Sequence, residues 1–233
     1  IDDQFVQVAK GQTVGLYMIT LDEGERSFSY WRGQSAAKAL ADDTTALDTA
    51  MDASDLIYFS GITLAILPAN GREALLTAAQ KARAAGKIIA FDPNLRPRLW
   101  ASDAEMTDTI MQAAAVSDIV LPSFEDEADW FNDANPKATA DRYLNAGAVT
   151  VIVKNGADPV LYAEGSNYAE VPVTPVQTLV DTTAAGDSFN AGIFARHAAG
   201  DTLAGGIAYA CALSRQVVQS RGALVAFDPE SIR

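Results

Sequence analysis

Asp181-Thr182-Thr183-Ala184-Ala185-Gly186-Asp187-Ser188-Phe189-Asn190-Ala191-Gly192 places small residues and two carboxylates at the head of an Ala-rich segment that reads as a helix to about Ala199. The segment before it, Val173 to Val180, is β-branched and reads as extended. Ala184, Ala185 and Gly186 let an anion approach the backbone, and the first turn of a helix supplies unpaired N–H groups and the positive end of the dipole. A carboxylate inside such a cradle would repel its ligand, so Asp187 makes sense as a base that takes a proton from an attacking hydroxyl. The chemistry implied is phosphoryl transfer to an alcohol. The competing reading is that Asp181 or Asp187 caps a helix and Gly186 eases a turn, since these residue types do both.

The whole block resembles the second signature of the ribokinase-like (phosphofructokinase-B) carbohydrate kinases, written Asp-Thr-Thr-Gly-Ala-Gly-Asp followed by an aromatic and Asn-Ala-Gly. The resemblance implies that Asp187 is the catalytic base and that Ala184, Ala185 and Gly186 form an anion hole for the phosphates of ATP. Ala184 stands where the pattern has its first Gly. A left-handed backbone there would strain an alanine, whereas αR or β conformation would not.

Stepping along the chain, Phe5 to Ala9, Thr13 to Leu21 and Arg26 to Arg32 read as strands, with Asp22-Glu23-Gly24-Glu25 as a turn. Alternation puts Phe28, Tyr30 and Arg32 on one face, and Ser29 and Trp31 on the other. On pattern alone a half-buried hairpin accounts for the rings. Gly15-Leu16-Tyr17, Leu21 to Arg26 and Tyr30-Trp31-Arg32 also resemble the lid hairpin of the 2-keto-3-deoxygluconate kinase branch, where two tyrosines and an arginine hold a sugar acid. The resemblance carries Tyr17, Tyr30 and Arg32 over as substrate contacts. Hydroxylated rings can stack on and hydrogen-bond a polyol, and a guanidinium fork matches a carboxylate.

From Ser35 onward helices alternate with short apolar strands, the pattern of a parallel sheet covered by helices. Strands are expected at Leu56–Phe59, Lys87–Phe91, Ile119–Leu121, Val149–Val153, Val160–Tyr162 and Tyr168–Val171. Helices are expected at Leu75–Ala85, Asp103–Val116, Ala138–Ala146 and Leu203–Val218. Polar groups gather just past strand ends, where such sheets bind ligands: Asp92, Asn94 and Arg96; Ser123, Asp126 and Glu127; Lys154, Asn155 and Gly156.

The Asp92-Pro93-Asn94-Leu95-Arg96 loop resembles the family's Asp-x-Asn-x-Arg, which implies Asn94 near the nucleotide phosphates and Arg96 on substrate or transferred phosphoryl, with Arg98 able to exchange roles. A surface ion pair is the other reading of Arg96. Ser123 to Asp126 falls where the family has Asn-x-x-Glu. That resemblance makes Asp126 a Mg²⁺ ligand through water, or else simply an acidic helix start. Lys154, Gly156 and Ala157 resemble the nucleotide loop, or a turn beside an exposed lysine, and Ser220-Arg221-Gly222-Ala223 resembles a turn near the purine.

The 233 residues fit one sizeable α/β domain with a small accessory element. Thirty acidic residues against 17 basic ones, a net charge of −13, argue against nucleic acid and anionic membranes as partners. Nucleotides remain compatible, because Mg²⁺ and local N–H groups neutralise phosphates where they bind. Cys211, the one cysteine, rules out an intrachain disulfide and a thiolate-rich metal site, and reads as a buried small hydrophobe. His197 near Gly200 suits a helix C-terminus.

The expected architecture is a ribokinase-like three-layer α/β/α sandwich with a mostly parallel sheet and a small β lid, divided into lid residues 1–34 and core residues 35–233. The expected activity is ATP- and Mg²⁺-dependent phosphorylation of the terminal hydroxyl of 2-keto-3-deoxygluconate in the cytoplasm, by a homo-oligomer formed through the lid. A fructose or pentose kinase, or a binding regulator without turnover, are the alternatives. The family pattern begins with a strand and a Gly-Gly loop ahead of the part that matches, so an earlier segment is also expected.

Overall fold

Apolar alternation makes a strand only where a second strand completes its hydrogen bonds, and the two ends of this rule are visible in the first forty residues. In a computed structural model that describes residues 2–22, 25–227 and 232, β1 (Leu16–Asp22) and β2 (Glu25–Trp31) pair antiparallel, with Tyr17 opposite Tyr30 and Leu16 opposite Trp31. Glu23 and Gly24 of the expected turn, and the side chain of Phe28, lie outside the described residues. Phe5 to Ala9 is not a strand. Val6 and Val8 are exposed, and the Val6 amide donates to Asp3 O in a turn at 2.9 Å. Without a ladder partner, β propensity has nothing to stabilise it.

The chain forms two compact units, Ile1–Ile119 with Ala146–Ala148, and Val120–Asn145 with Val149–Arg233. In the first, β3 (Leu56–Ser60) and β4 (Ile88–Asp92) run parallel, with Ser60 level with Asp92, and β5 (Ile119–Val120) follows in the order β3-β4-β5. Helices α1 (Thr44–Asp52), α2 (Gly61–Ile66), α3 (Ala69–Ala84) and α4 (Asp103–Ala115) accompany them. Leu64, Ile89, Phe91, Met106 and Ile110 are fully buried in this unit's core.

Helix α1 was not among the expected helices, and two further features were not foreseen. Helix α2 is a short apolar stretch closed by a capping box between Ser60 and Thr63, and short apolar runs carry no period that separates helix from strand. Helix α3 starts at Ala69, not at Leu75. Its polar first turn is held by the Arg72 side chain, whose Nε donates to Leu64 O and Leu67 O at 2.9 and 3.1 Å.

In the second unit the strand order is β5-β6-β7-β8, with β7 (Val160–Glu164) antiparallel to both of its neighbours, β6 (Thr150–Val153) and β8 (Asn167–Val171). Helices α5 (Phe124–Phe131), α6 (Pro136–Ala146), α7 (Ala185–Ala198) and α8 (Leu203–Val217) complete it. Helices α7 and α8 approach so closely that a Cβ on Gly192 would lie 2.8 Å from Ala210 Cα.

Val173 to Val180 is not a strand. Pro172 and Pro175 remove ladder donors, and the Val180 and Asp181 amides both donate to Val218 O instead, at 2.9 and 3.1 Å. Cys211 on α8 is half-buried where full burial was expected, and desolvation pushes its thiol up to about 11. His197 lies in the last turn of α7, as its sequence position implied. The α/β class with a mostly parallel sheet is as expected, and no helix among the described residues is long and apolar enough to cross a membrane.

Candidate active site

The site residues form two groups, one in each unit. In the first, β-strand pairing sets Tyr17 directly across from Tyr30, their ring centroids 6.3 Å apart. The Arg32 guanidinium stacks 4.3 Å over the Tyr30 ring. Both tyrosines are about half exposed, 51% and 50%, and Arg32 is half-buried beside them. That combination suits a polar, hydroxylated anion and would be a poor core.

The loop after β4 is built by Asp92, which is only 3% exposed. Its Oδ1 accepts the Asn94 amide at 3.1 Å and turns the chain so that Asn94 takes a positive φ of 38°. Asn94 is half-buried there, and Arg96 is exposed, its Nη1 donating to Leu95 O at 2.6 Å. Arg98 is exposed as well.

This loop presses on the start of α2: a Cβ on Gly61 would stand 1.9 Å from Pro93 O. Only glycine permits that approach.

The second group surrounds the start of α7. Asp181 Oδ1 accepts the Thr183 amide at 2.8 Å and Oδ2 the Gly222 amide at 3.0 Å, so the turn at Ser220 to Ala223 is tied to the mouth of the Thr-Ala-rich loop. Ala184 is the N-cap of α7 and is left-handed, φ 60°, ψ 17°. This is the strained alternative for an alanine at a glycine position, costing roughly 1–2 kcal/mol. Surrounding bonds hold it: Ser188 N–H donates to Ala184 O at 2.9 Å, while the Ser188 and Ser214 hydroxyls both donate to Ala185 O at 3.0 Å. The Ala185 amide donates to Thr182 O at 3.2 Å. Gly186 and Asp187 follow in the first turn, where amides have no intrahelical acceptor, and the Asp187 side chain is exposed.

Lys154, at the end of β6, is half-buried and reaches the same place. Its Nζ lies 3.4 Å from Asn190 Oδ1 and 3.7 Å from where a Cβ on Gly186 would stand. A cation therefore sits beside the helix start. Gly156, with φ 60°, makes the following turn, in which Asp158 N–H donates to Asn155 O at 2.9 Å, and Ala157 is exposed on it.

Asp126 is half-buried in the first turn of α5. Its neighbour Glu127 is fully buried, paired with Arg142 Nη2 at 2.6 Å and with the Tyr143 hydroxyl at 2.9 Å. Burial pushes the Glu127 carboxyl up to about 7, against the pull of Arg142. No group of three or more His, Cys, Asp or Glu side chains able to hold a metal ion occurs among the described residues.

Sequence reasoning assigned no role to Asn190, Ser214 or Gly61, and placed Glu127 only among the polar groups just past a strand end. Asn190, 1% exposed, could have been found from its place inside the signature block. The other three act through tertiary neighbours, which no local pattern reveals.

The description "pfkB family carbohydrate kinase" matches residues 1–229. The chain is 36% identical over 231 residues to the 2-dehydro-3-deoxygluconokinase of Escherichia coli (strain K12), covering 97% of this chain and 75% of that protein. It is 37% identical over 216 residues to the 2-dehydro-3-deoxygluconokinase of Haemophilus influenzae, covering 91% and 69%. Among solved structures, aminoimidazole riboside kinase from Salmonella enterica, complexed with aminoimidazole riboside and an ATP analog, superposes with a TM-score of 0.80 at 26% identity, covering 99% of this chain and 76% of that one.

Proposed function

The chain belongs to the pfkB family of carbohydrate kinases, and from that membership we propose that it transfers the γ-phosphoryl group of ATP to the terminal hydroxyl of 2-dehydro-3-deoxygluconate, also called 2-keto-3-deoxygluconate, giving the 6-phosphate. The observation that carries the substrate is the Tyr17–Tyr30–Arg32 cluster on the β1–β2 hairpin. A neutral sugar has little use for a guanidinium stacked on an aromatic ring, whereas a sugar acid pairs its carboxylate with it. The relatives named 2-dehydro-3-deoxygluconokinase agree with this choice.

In the reaction, Asp187 takes the proton of the substrate hydroxyl as its oxygen bonds to the γ-phosphorus and the bond from that phosphorus to the β–γ bridging oxygen breaks, releasing ADP. The amides at the head of α7, contributed by Ala184, Ala185 and Gly186, and the Lys154 ammonium offset negative charge on the phosphates. Arg96 is assigned to the transferred phosphoryl or the substrate, Asn94 to the nucleotide phosphates, and Gly156 and Ala157 to close backbone approach by the nucleotide. Asp126, in the first turn of α5, would hold through water a Mg²⁺ brought with the nucleotide, and that ion would neutralise phosphate charge.

We further propose residues 1–34 as the lid portion and 35–233 as the kinase core, acting in the cytoplasm on small molecules and not on nucleic acid. Self-association through the lid is supported by Leu16, Met18 and Trp31, each at least half exposed on the hairpin. Light scattering of the intact protein is expected to give a homo-oligomer, and a monomer would remove that assignment.

Arg32→Ala tests the substrate. Its expected effect is a rise of about ten- to a hundredfold in KM for the sugar acid, since a charged hydrogen-bonded pair is lost, with kcat/KM for fructose and ribose left low and unchanged. Equal loss on all substrates, or none, would reject the carboxylate assignment. Binding of ATP and sugar acid without ADP release would instead indicate a regulator.

A further inference from the structure

We infer that Glu127 is a positioning residue for Lys154, fixing from inside the fold the direction in which that lysine leaves β6. This rests on the reading of Lys154 as a contact for the nucleotide phosphates.

The chain of contacts is continuous and lies within one unit. Arg142 on α6 grips α5 near its start through Glu127 and just beyond its end through Asp133, both at 2.6 Å. Its guanidinium also lies 3.7 Å over the ring of Phe131, the last residue of α5. Tyr143 adds a hydroxyl bond to the same Glu127 oxygen at 2.9 Å. Glu127 in turn donates its amide to Ser123 O at 3.2 Å. Ser123 forms a parallel bridge with Lys154, and both peptide groups of Lys154 are bound beside it: Lys154 N–H to Pro122 O at 2.9 Å, and Phe124 N–H to Lys154 O at 2.8 Å.

The cost of this arrangement argues that it has a use. A fully buried carboxylate is stabilised poorly by a single cation, and Glu127 Oε1 has no hydrogen-bond partner among the described residues. An apolar residue would fill the space between α5 and α6 at lower cost. What an apolar residue cannot supply is a directional grip: charged hydrogen bonds fix both the height and the rotation of α5, and hence where the Ser123–Lys154 bridge stands. Lys154 Nζ must then reach past Asn190 to Gly186, and a displacement of its backbone by even a fraction of an ångström is carried to the end of a long side chain.

The test is steady-state kinetics of the intact protein with ATP varied at saturating 2-keto-3-deoxygluconate, in Glu127→Ala, Glu127→Gln, Lys154→Met and the Glu127→Ala/Lys154→Met pair, each checked by thermal melting. Glu127→Ala is expected to raise the KM for ATP about tenfold, and Glu127→Gln, which keeps the shape and two acceptor bonds, about threefold or less, with the sugar-acid KM nearly constant. In the Lys154→Met background Glu127→Ala adds less than about twofold, because the group it positions is gone. An equal tenfold rise in both backgrounds, or no rise with the fold intact, overturns the inference. If Lys154→Met itself leaves the KM for ATP unchanged, the reading of Lys154 fails first, and the role of Glu127 falls with it. Should Glu127→Ala not fold, Tyr143→Phe takes its place: it removes one bond to Glu127 while keeping the ring, and is expected to raise the KM for ATP about threefold in the native background only.

Discussion

Asp187→Asn is expected to abolish turnover while leaving ATP binding intact: kcat falls about a hundred- to ten-thousandfold, the range that a positioned general base contributes. The substitution keeps the size of the side chain and removes its ability to accept a proton. The fold is not expected to respond, because Asp187 is exposed in the first turn of α7, where an asparagine is tolerated. The nucleotide, if anything, binds more tightly, since a negative charge beside its phosphates has been removed. Coupled measurement of ADP release, with isothermal titration of ATP, separates the two effects. A kcat within threefold of the native value would assign the proton to another group and return Asp187 to the role of a helix-start acid. A parallel loss of ATP affinity would point to a structural part in the anion loop.

The second large effect is expected at a residue that touches no ligand. In Gly61→Ala the new methyl group would lie 1.9 Å from Pro93 O, 3.0 Å from Pro93 C and 2.9 Å from Ile110 Cδ1. The isoleucine can rotate away, but the Pro93 carbonyl is backbone and cannot. Pro93 stands inside the loop that Asp92 turns and that carries Asn94 and Arg96, so relief comes only by moving that loop or the first turn of α2. A stability loss of about 3 kcal/mol or more is expected, read as a drop of about 6–12 °C in the melting temperature. A shift of 1 Å in Arg96 can cost about a hundredfold in kcat, so the residual folded enzyme is also expected to be slow. A native melting curve with native kcat would show that the loop has room to yield.

The start of α7 was legible in the sequence because its pattern is local. Ala184 to Asp187 lie within four consecutive positions, so their spacing alone describes a helix start with an acid in its first turn. Tyr17, Tyr30 and Arg32 were singled out by resemblance to a lid hairpin alone, because the local pattern says no more than half-buried rings; the register that sets Tyr17 opposite Tyr30 belongs to the folded hairpin.

What escaped was anything decided by packing. The left-handed φ of Ala184 depends on hydroxyls from Ser188 and from Ser214, the latter on another helix. From residue type alone the conformation stood open, and the structure selects the costlier branch. Val173 to Val180 had strand composition, but its bounding and internal prolines left too few donors for a ladder. Glu127 looked like any acid at a helix start, and only Arg142 and Tyr143, on the next helix, reveal it as buried.

Cys211 gives the protein a practical property. It is the sole thiol, half-buried on α8 and held mostly protonated by desolvation, with its value pushed up to about 11. At pH 8 only about one such thiol in a thousand is the nucleophilic thiolate, against about a quarter for an exposed cysteine of ordinary acidity. Maleimide dyes should therefore distinguish the two by rate with no need to remove the native residue. Ser29 is exposed on β2, adjacent in sequence to Tyr30 and so directed to the opposite face of the hairpin. In Ser29→Cys, a fluorophore attached at the new thiol would report on the hairpin that carries the proposed sugar-acid contacts, with Cys211 left in place.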